Sequence, residues 1–315
     1  MQTPRPHGRT TKHPRTGTTL DLLPIVRYNG RMTRSDLVQA MYDSSDQLGD
    51  YRVLPLHTCR ELEARFGLLR SQLELAALET GVVPRRYLRN MGTLGLEGQL
   101  SLLRATVALV GLGGLGGYVL EGLARAGVGH VIAIDGDVFE DHNLNRQMLS
   151  TEAALGTPKA AAAVSRVASI NCAVRITPHA SAVSADNAAS LLEGAQVVID
   201  ALDNIPSRLI LQEAAAALGV PMVHGSIAGF VGQVMTIMPG DPGLHALYGA
   251  GELPAQGVEQ TLGTPAATPM LVAAFEVQEA IKLITGIGQP LRNVLLFIDT
   301  ESCLVERIEL GAPGC

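Results

Sequence analysis

The residues best suited to phosphate chemistry fall in one stretch, Thr106–Lys159. An apolar run, Thr106–Val110, passes straight into Gly111-Leu-Gly113-Gly114-Leu-Gly116. A second apolar run, 130–134, ends at Asp135, then come Asn143-Leu-Asn-Arg146-Gln147 and Lys159. Glycines after a strand let the backbone approach a phosphate, and the free amides opening the next helix point at it. A carboxylate closing the second strand is placed to bond ribose hydroxyls. That much suits a dinucleotide enzyme as well as an ATP enzyme. Arg146 separates them. A guanidinium grips a triphosphate bidentately as negative charge develops on it, whereas a dinucleotide enzyme has no need of an arginine just after its second strand. Lys159 adds a second positive charge, and Asn143 and Gln147 can bond sugar or phosphate oxygens.

A third group lies farther on. Val197-Val-Ile-Asp200-Ala-Leu-Asp203-Asn204 reads as a strand ending in acids. An acid at the carboxyl edge of a parallel sheet faces the crevice where ligands bind. Asp203 can hold Mg²⁺ there, since that ion favours carboxylates together with phosphate oxygens. Asp200 or Asp203 can equally cap the helix that starts near Pro206.

Bringing these groups together takes alternating strands and helices. The sequence predicts strands at 106–110, 130–134, 174–178, 196–200, 221–224, 232–238 and 294–299, and helices at 115–126, 157–170, 184–193, 206–218 and 269–285. The early strands are short, apolar on both faces and separated by helices, the pattern of a doubly wound, mostly parallel α/β sheet. The later strands, with 303–308, predict an antiparallel C-terminal extension. Residues 239–269 are rich in glycine and proline without periodicity, as a functional or mobile loop would be.

Ahead of this domain, residues 1–18 read as a disordered basic tail. Residues 19–84 read as a small helical N-terminal unit. Thr33 and Asp36 offer a helix cap, Thr58 a cap for 60–66 with Gly67 as its stop, and 71–80 a further helix closed by Gly81. Helix, turn and helix resemble a DNA reader, but the second helix, Ser71-Gln-Leu-Glu-Leu-Ala-Ala-Leu-Glu-Thr80, is acidic, the wrong sign for phosphates. An interaction or dimerisation module fits better. Residues 85–315 form the main domain.

Composition narrows the rest. With 47% hydrophobic residues the chain of 315 residues has ample core material, and its net charge of −6 gives no general case for nucleic acid. Charged residues make up only 17%, which suggests that some surface is covered by another subunit. No apolar run is long enough to span a membrane, and no secretory signal pattern is present. Cys59, Cys172, Cys303 and Cys315 form no CxxC pair, so a reducing cytoplasm is expected.

These residues resemble the ThiF/MoeB/HesA group of ubiquitin-activating-enzyme-like adenylyltransferases. The resemblance rests on Arg86-Tyr-Leu-Arg89, Leu96-Glu-Gly-Gln99, the glycine loop, Asp135-Gly-Asp137, Asn143–Gln147, Gly156-x-x-Lys159, Asp200-x-x-Asp203-Asn204 and Phe275-Glu-Val-Gln-Glu-Ala-Ile-Lys-Leu-Ile-Thr-Gly286, in the family's order. It implies that the terminal Gly carboxylate of a ubiquitin-fold sulfur carrier, usually ending in Gly-Gly, attacks the α-phosphate of ATP·Mg²⁺. The products are an acyl-adenylate and pyrophosphate, in sulfur transfer for a cofactor such as molybdopterin, tungstopterin or thiamine. By position, Arg146, Lys159, Asp203 and Arg89 are the expected catalytic residues. Gly111, Gly113, Gly114, Gly116, Asp135, Asp137, Asn143, Gln147 and Asn204 are expected to bind the nucleotide, and Asp203 the Mg²⁺. In the family the arginine matching Arg89 reaches into the neighbouring subunit's site, which implies a homodimer.

Two departures matter. Many members hold zinc through two CxxC pairs. Here Met238-Pro-Gly-Asp-Pro-Gly243 stands in place of the first, and the chain ends in Ala312-Pro-Gly-Cys315 where the second would begin, so no zinc site is expected. Many members also carry a cysteine in the loop over the site, and 239–269 has none. Cys172 reads as core, Cys303 as part of a strand and Cys59 as part of the extra unit. The alternatives are activation of another carboxylate, as in a tRNA-modifying dehydratase, an NAD-dependent oxidoreductase, and a non-catalytic scaffold.

Overall fold

The computed structural model describes residues 33–249 and 259–310. The expected basic tail and Cys315 lie outside the described residues. So do 250–258 of the glycine- and proline-rich loop.

The N-terminal unit starts where the sequence indicates. Thr33 caps helix α1 (Arg34–Asp43): its hydroxyl accepts from the Asp36 amide, and the Asp36 carboxylate accepts from the Thr33 amide, a reciprocal capping box. Strands β1 (Asp46–Leu48) and β2 (Tyr51–Leu54) form a hairpin. Helices α2 (Leu56–Phe66) and α3 (Arg70–Glu79) lead to β3 (Val82–Pro84), which joins β2 in parallel. The expected helices are thus joined by a three-stranded sheet. These strands have three or four residues each, too short for a period-two pattern to register. Thr58 is not a cap. Pro55 precedes the helix, and Thr58 is buried inside it, because the run from Leu54 to Leu62 supplies the apolar face that fixes the start earlier.

A short 3-10 turn, Arg85–Asn90, leads into α4 (Met91–Arg104), and the main domain follows. It comprises β4 (Thr106–Val110), α5 (Gly116–Ala126), β5 (His130–Ile134), α6 (Lys159–Ile170), β6 (Arg175–His179), α7 (Ala188–Leu191), β7 (Val197–Asp200) and α8 (Ile205–Ala217). Then come β8 (Met222–Ala228), β9 (Val231–Ile237), α9 (Leu244–Tyr248), α10 (Glu259–Leu262), α11 (Ala267–Thr285), β10 (Val294–Asp299) and β11 (Leu304–Glu309). The helix expected at 184–193 shrinks to the single turn α7, with Asp186, Asn187 and Glu193 in turns at either side. The loop expected over 239–269 carries α9 and α10.

The sheet has eight strands in the order β11-β10-β9-β8-β7-β4-β5-β6. Strands β6 through β8 run parallel, and β9, β10 and β11 add antiparallel. Alternation within the strands builds two cores. Val107, Leu109, Val131 and Ala133 pack on one face with α5, α6 and α11. Ala108, Val110, Ile132 and Ile134 pack on the other with α7 and α8. Both faces are covered, which is why the strands read as continuous apolar runs. The chain winds from β4 out to β6 and returns to β7 beside β4. The carboxyl ends of β4 and β7 therefore part, and the crevice of a doubly wound sheet opens there.

Candidate nucleotide site

The crevice is a cavity of about 590 Å³, within the range of small-molecule sites. Its wall includes Gly111, Gly113, Gly114, Asp135, Asp137, Arg146, Gln147, Lys159, Asp203 and Asn204. Strand topology brings these residues together from five stretches of sequence.

The four loop glycines have two different reasons to be glycine. Gly111 has φ +93, and a Cβ on it would stand 2.4 Å from the Ala201 carbonyl oxygen; a Cβ on Gly116 would stand 1.8 Å from the Gly111 carbonyl oxygen. Those two glycines let the turn close against β7 and let α5 pack on it. Gly116 itself does not line the crevice. Gly113 and Gly114 have no positive φ, and a Cβ on either would meet no atom nearer than 3.6 Å. Among the described residues nothing requires a glycine there, and the space they leave opens on the crevice. Gly116→Ala is therefore expected to destabilise the fold by about 1–3 kcal/mol. Gly114→Val should melt like the wild type yet lose ATP affinity on the order of tenfold or more. Thermal melts and ATP titrations of the two variants would separate these roles. Equal destabilisation by both would remove the distinction.

Asp135 anchors the loop. Its Oδ2 accepts the Leu112 amide at 2.7 Å and its Oδ1 the Asp137 amide at 2.8 Å. Burial pushes its carboxyl above the ordinary range, opposed by the Asp137 amide, the Lys159 ammonium and the Leu112 amide. Lys159 is the first residue of α6; its buried ammonium lies 3.0 Å from Asp137 Oδ2 and 4.0 Å from Asp135 Oδ2. The sequence places Lys159 on a helix start; the structure pairs it with both acids of Asp135-Gly-Asp137.

Arg146 is half-buried beside Gly114, and its Nη1 donates to the His142 carbonyl and Asn145 Oδ1. Gln147 is buried next to Gly113, and among the described residues its Oε1 has no partner. An orphaned acceptor beside an open glycine is what a bound hydroxyl, amine or water would satisfy. Asn143 does not line the crevice. It is buried beneath the loop, and its Oδ1 accepts the Glu140 amide at 3.0 Å. Sequence spacing could not show that this side chain is used in shaping the turn.

Asp203 is exposed at the crevice, and among the described residues its carboxylate meets only the Asn204 side-chain amide, at 3.3 Å. Neither Asp200 nor Asp203 caps α8. The cap is Asn204, whose Oδ1 accepts the Ser207 amide at 2.9 Å. Arg89 is exposed on the 3-10 turn Arg85–Asn90 and does not line the crevice of its own chain. The sequence reading did not single out Arg208, Ser207 or the segment Ser181–Val183, all in the wall. Arg208 sits four residues past the cap Asn204, a spacing that could have pointed to it. Ser181–Val183 follows β6, and only the sheet carries it to the crevice.

The cysteines are elsewhere. Burial pushes the Cys59 thiol up to about 11, with Glu74 adding to the effect, so it is not a nucleophile at neutral pH. Cys172 is exposed beyond the end of α6 rather than in the core, and Cys303 lies in the β10–β11 turn with φ +59 rather than in a strand. No described helix is long and apolar enough to cross a membrane. Among the described residues, no three His, Cys, Asp or Glu side chains are grouped to hold a metal ion.

A sequence model of the ThiF family matches residues 87–315. The SAMP-activating enzyme E1 of Haloferax volcanii is 36% identical over 236 residues, covering 73% of this chain and 87% of the relative. The sulfur carrier protein adenylyltransferase of Thermus thermophilus is 38% identical over 245 residues, covering 73% and 89%. Among solved structures, E. coli MccB with ATP is similar at a TM-score of 0.63 and 22% identity, over 72% of each chain, a likeness of fold.

Proposed function

Because the chain belongs to the ThiF family, we propose that this adenylyltransferase activates the C-terminal carboxylate of a small ubiquitin-fold sulfur carrier ending in Gly-Gly. The observation that carries the reading is the open Gly113–Gly114 segment, flanked by Arg146 and Gln147 and facing Asp203 across one crevice. The names of the relatives from Haloferax volcanii and Thermus thermophilus support the substrate class.

The carrier's carboxylate is ionised at pH 7 and attacks the α-phosphorus of ATP. An oxygen–phosphorus bond forms, the bond from that phosphorus to the bridging oxygen breaks, and pyrophosphate leaves with the electron pair. No proton must be taken from the nucleophile. The chain therefore contributes position and charge rather than a base. The amides opening α5 and the space at Gly113–Gly114 receive phosphate oxygens. Asp135 accepts from the ribose hydroxyls, while Asp137 holds Lys159 at the rim. Arg146 and Lys159 take up charge on the triphosphate, with Gln147 and Asn204 as polar contacts. Asp203 would hold Mg²⁺, which would supply positive charge against the triphosphate.

The enzyme works as a homodimer in the cytoplasm, in sulfur transfer for cofactor assembly. Arg89 supports the dimer, because it stands away from its own crevice and is free to reach a partner's. Mixing Arg89→Ala with Arg146→Ala protomers should then restore activity that neither has alone. The test of the function is ATP–pyrophosphate exchange. Exchange should appear only with a Gly-Gly-ended carrier and vanish when its terminal glycine is removed. NAD(H) binding without ATP binding would overturn the reading.

A further inference from the structure

Directly behind the β7–α8 turn, the buried side chains of Asp200, Arg208 and His224 hold the backbone from which Asp203 projects. Asp200 Oδ1 accepts from the Leu202 amide at 3.1 Å. Arg208 donates to the Leu202 carbonyl through Nη2 at 2.7 Å and through Nε at 3.2 Å. Both backbone groups of Leu202 are thus bonded to charged side chains, the stronger kind of hydrogen bond. Asp203 is the next residue, and among the described residues its own carboxylate meets only the Asn204 side-chain amide. With so little holding the side chain, the Leu202 backbone sets where it enters the crevice.

Asp200 is in turn held by His224. Register pairs Asp200 on β7 with His224 on β8, and both follow residues of the face that packs on α8. Asp200 Oδ2 lies 2.7 Å from His224 Nδ1, and both side chains are fully buried. Burial keeps the imidazole neutral against the pull of Asp200. A carboxylate only accepts, so Nδ1 carries the proton. Arg208 Nε lies 3.9 Å from the same Asp200 oxygen, so each buried charge has its opposite. Arg208 lines the crevice, yet its Nε, Nη1 and Nη2 all donate within the chain, Nη1 to the Tyr248 hydroxyl at 3.4 Å. It serves the turn rather than a phosphate. The turn in question abuts the glycine loop: a Cβ on Gly111 would stand 3.2 Å from the Leu202 nitrogen.

We propose that Asp200, Arg208 and His224 are positioning residues for the nucleotide site: together they fix the Leu202 backbone against the glycine loop and so hold the Asp203 carboxylate where Mg²⁺ bound to ATP would meet it. Asp200 and His224 do not line the crevice and act only through the turn. The link to Mg²⁺ rests on the nucleotide-site reading, whereas the hold on Leu202 does not. His224 is the member to change. It is neutral, so removing it leaves no buried charge without its opposite, as replacing Asp200 or Arg208 would.

Amide hydrogen exchange on the whole chain, without nucleotide or Mg²⁺, reads the hold directly. In His224→Leu, Asp200 keeps the Leu202 amide but loses its other hydrogen-bond donor. The Leu202 amide should then exchange about tenfold faster, while amides of β4 and β5 keep wild-type rates. His224→Asn sets an amide nitrogen near the place of Nδ1 and should restore most of the protection. A Leu202 amide that exchanged at the wild-type rate in His224→Leu would overturn the proposal. Equal acceleration across the sheet would do the same, because it would mean general loosening rather than a hold on one turn.

The second arm is ATP–pyrophosphate exchange over a range of Mg²⁺ concentrations. His224→Leu should raise the half-saturating Mg²⁺ concentration about tenfold, the low end of the effect of losing an outer support of a metal ligand, with the rate at saturating Mg²⁺ changed less. His224→Asn should recover most of that shift. A variant that merely folded less well would lower the rate at every Mg²⁺ concentration and leave the half-saturating value in place, and that result would remove the positioning role. In an Asp203→Ala background the same substitution should move the value no further; a second shift of equal size would show that the group acts elsewhere. Should His224→Leu not fold, His224→Gln, whose amide nitrogen reaches past the place of Nδ1, replaces it in both arms. A wild type that binds no Mg·ATP would sink the nucleotide reading, and amide exchange would still decide the hold on Leu202.

Discussion

Arg146→Ala should lower ATP–pyrophosphate exchange about 10²–10³-fold, the usual effect of removing one preorganised group that stabilises charge in a transition state. The fold should be unaffected. Arg146 is half-buried in a loop, and its recorded bonds are to the His142 carbonyl and the neighbouring Asn145 side chain, so its structural contribution is that of a surface residue, within about 0.5 kcal/mol. The loss should fall mainly on the rate rather than on ATP affinity, because charge on the triphosphate grows during attack. Arg146→Lys should recover only part of it, since an ammonium cannot grip two oxygens in one plane. Steady-state exchange with a fixed carrier concentration reads all three. An Arg146→Ala enzyme with wild-type exchange would show that the guanidinium is not at the reacting phosphates.

Asp203→Ala should reduce exchange by on the order of 10²-fold at low Mg²⁺ and respond to added Mg²⁺, as loss of a single carboxylate ligand in a site completed by phosphate oxygens would. Structurally the change is cheap. The Asp203 carboxylate is exposed and meets only the Asn204 amide among the described residues. The neighbouring substitution Asn204→Ala provides the contrast, because it removes the α8 cap and should cost about 1 kcal/mol of stability. Mg²⁺ titrations of exchange, paired with thermal melts, separate a ligand from a cap. If Asp203→Ala kept the wild-type Mg²⁺ dependence, the ion would be held elsewhere.

Much of this site was legible in the chain because its parts are local. Gly111–Gly116 needs only a strand before it and a helix after it, and 106–110, 130–134 and 294–299 emerge as strands with the expected bounds. The N-terminal unit was less legible. Its strands are too short to carry a pattern, and the end of α2 was readable at Gly67 while its start was not. Cys172 looked like core from its apolar neighbours, yet it lies just past the end of α6, where the chain turns outward.

The amino-acid sequence by itself determined the parallel alternation of strands and helices and the position of the glycine loop, and it is what puts forward Arg146, Lys159 and Asp203 as groups for a triphosphate. Those are matters of period, of backbone freedom at glycine and of side-chain chemistry within a few residues. The tertiary structure alone decided which glycines serve packing and which leave room for a ligand, since that depends on how closely Ala201 approaches Gly111. It alone turned Asn143 away from the crevice and moved the helix cap to Asn204. It alone gathered Asp200, Arg208 and His224 from β7, α8 and β8 into one buried group, because strand order and helix packing, not sequence distance, set which charges meet out of water.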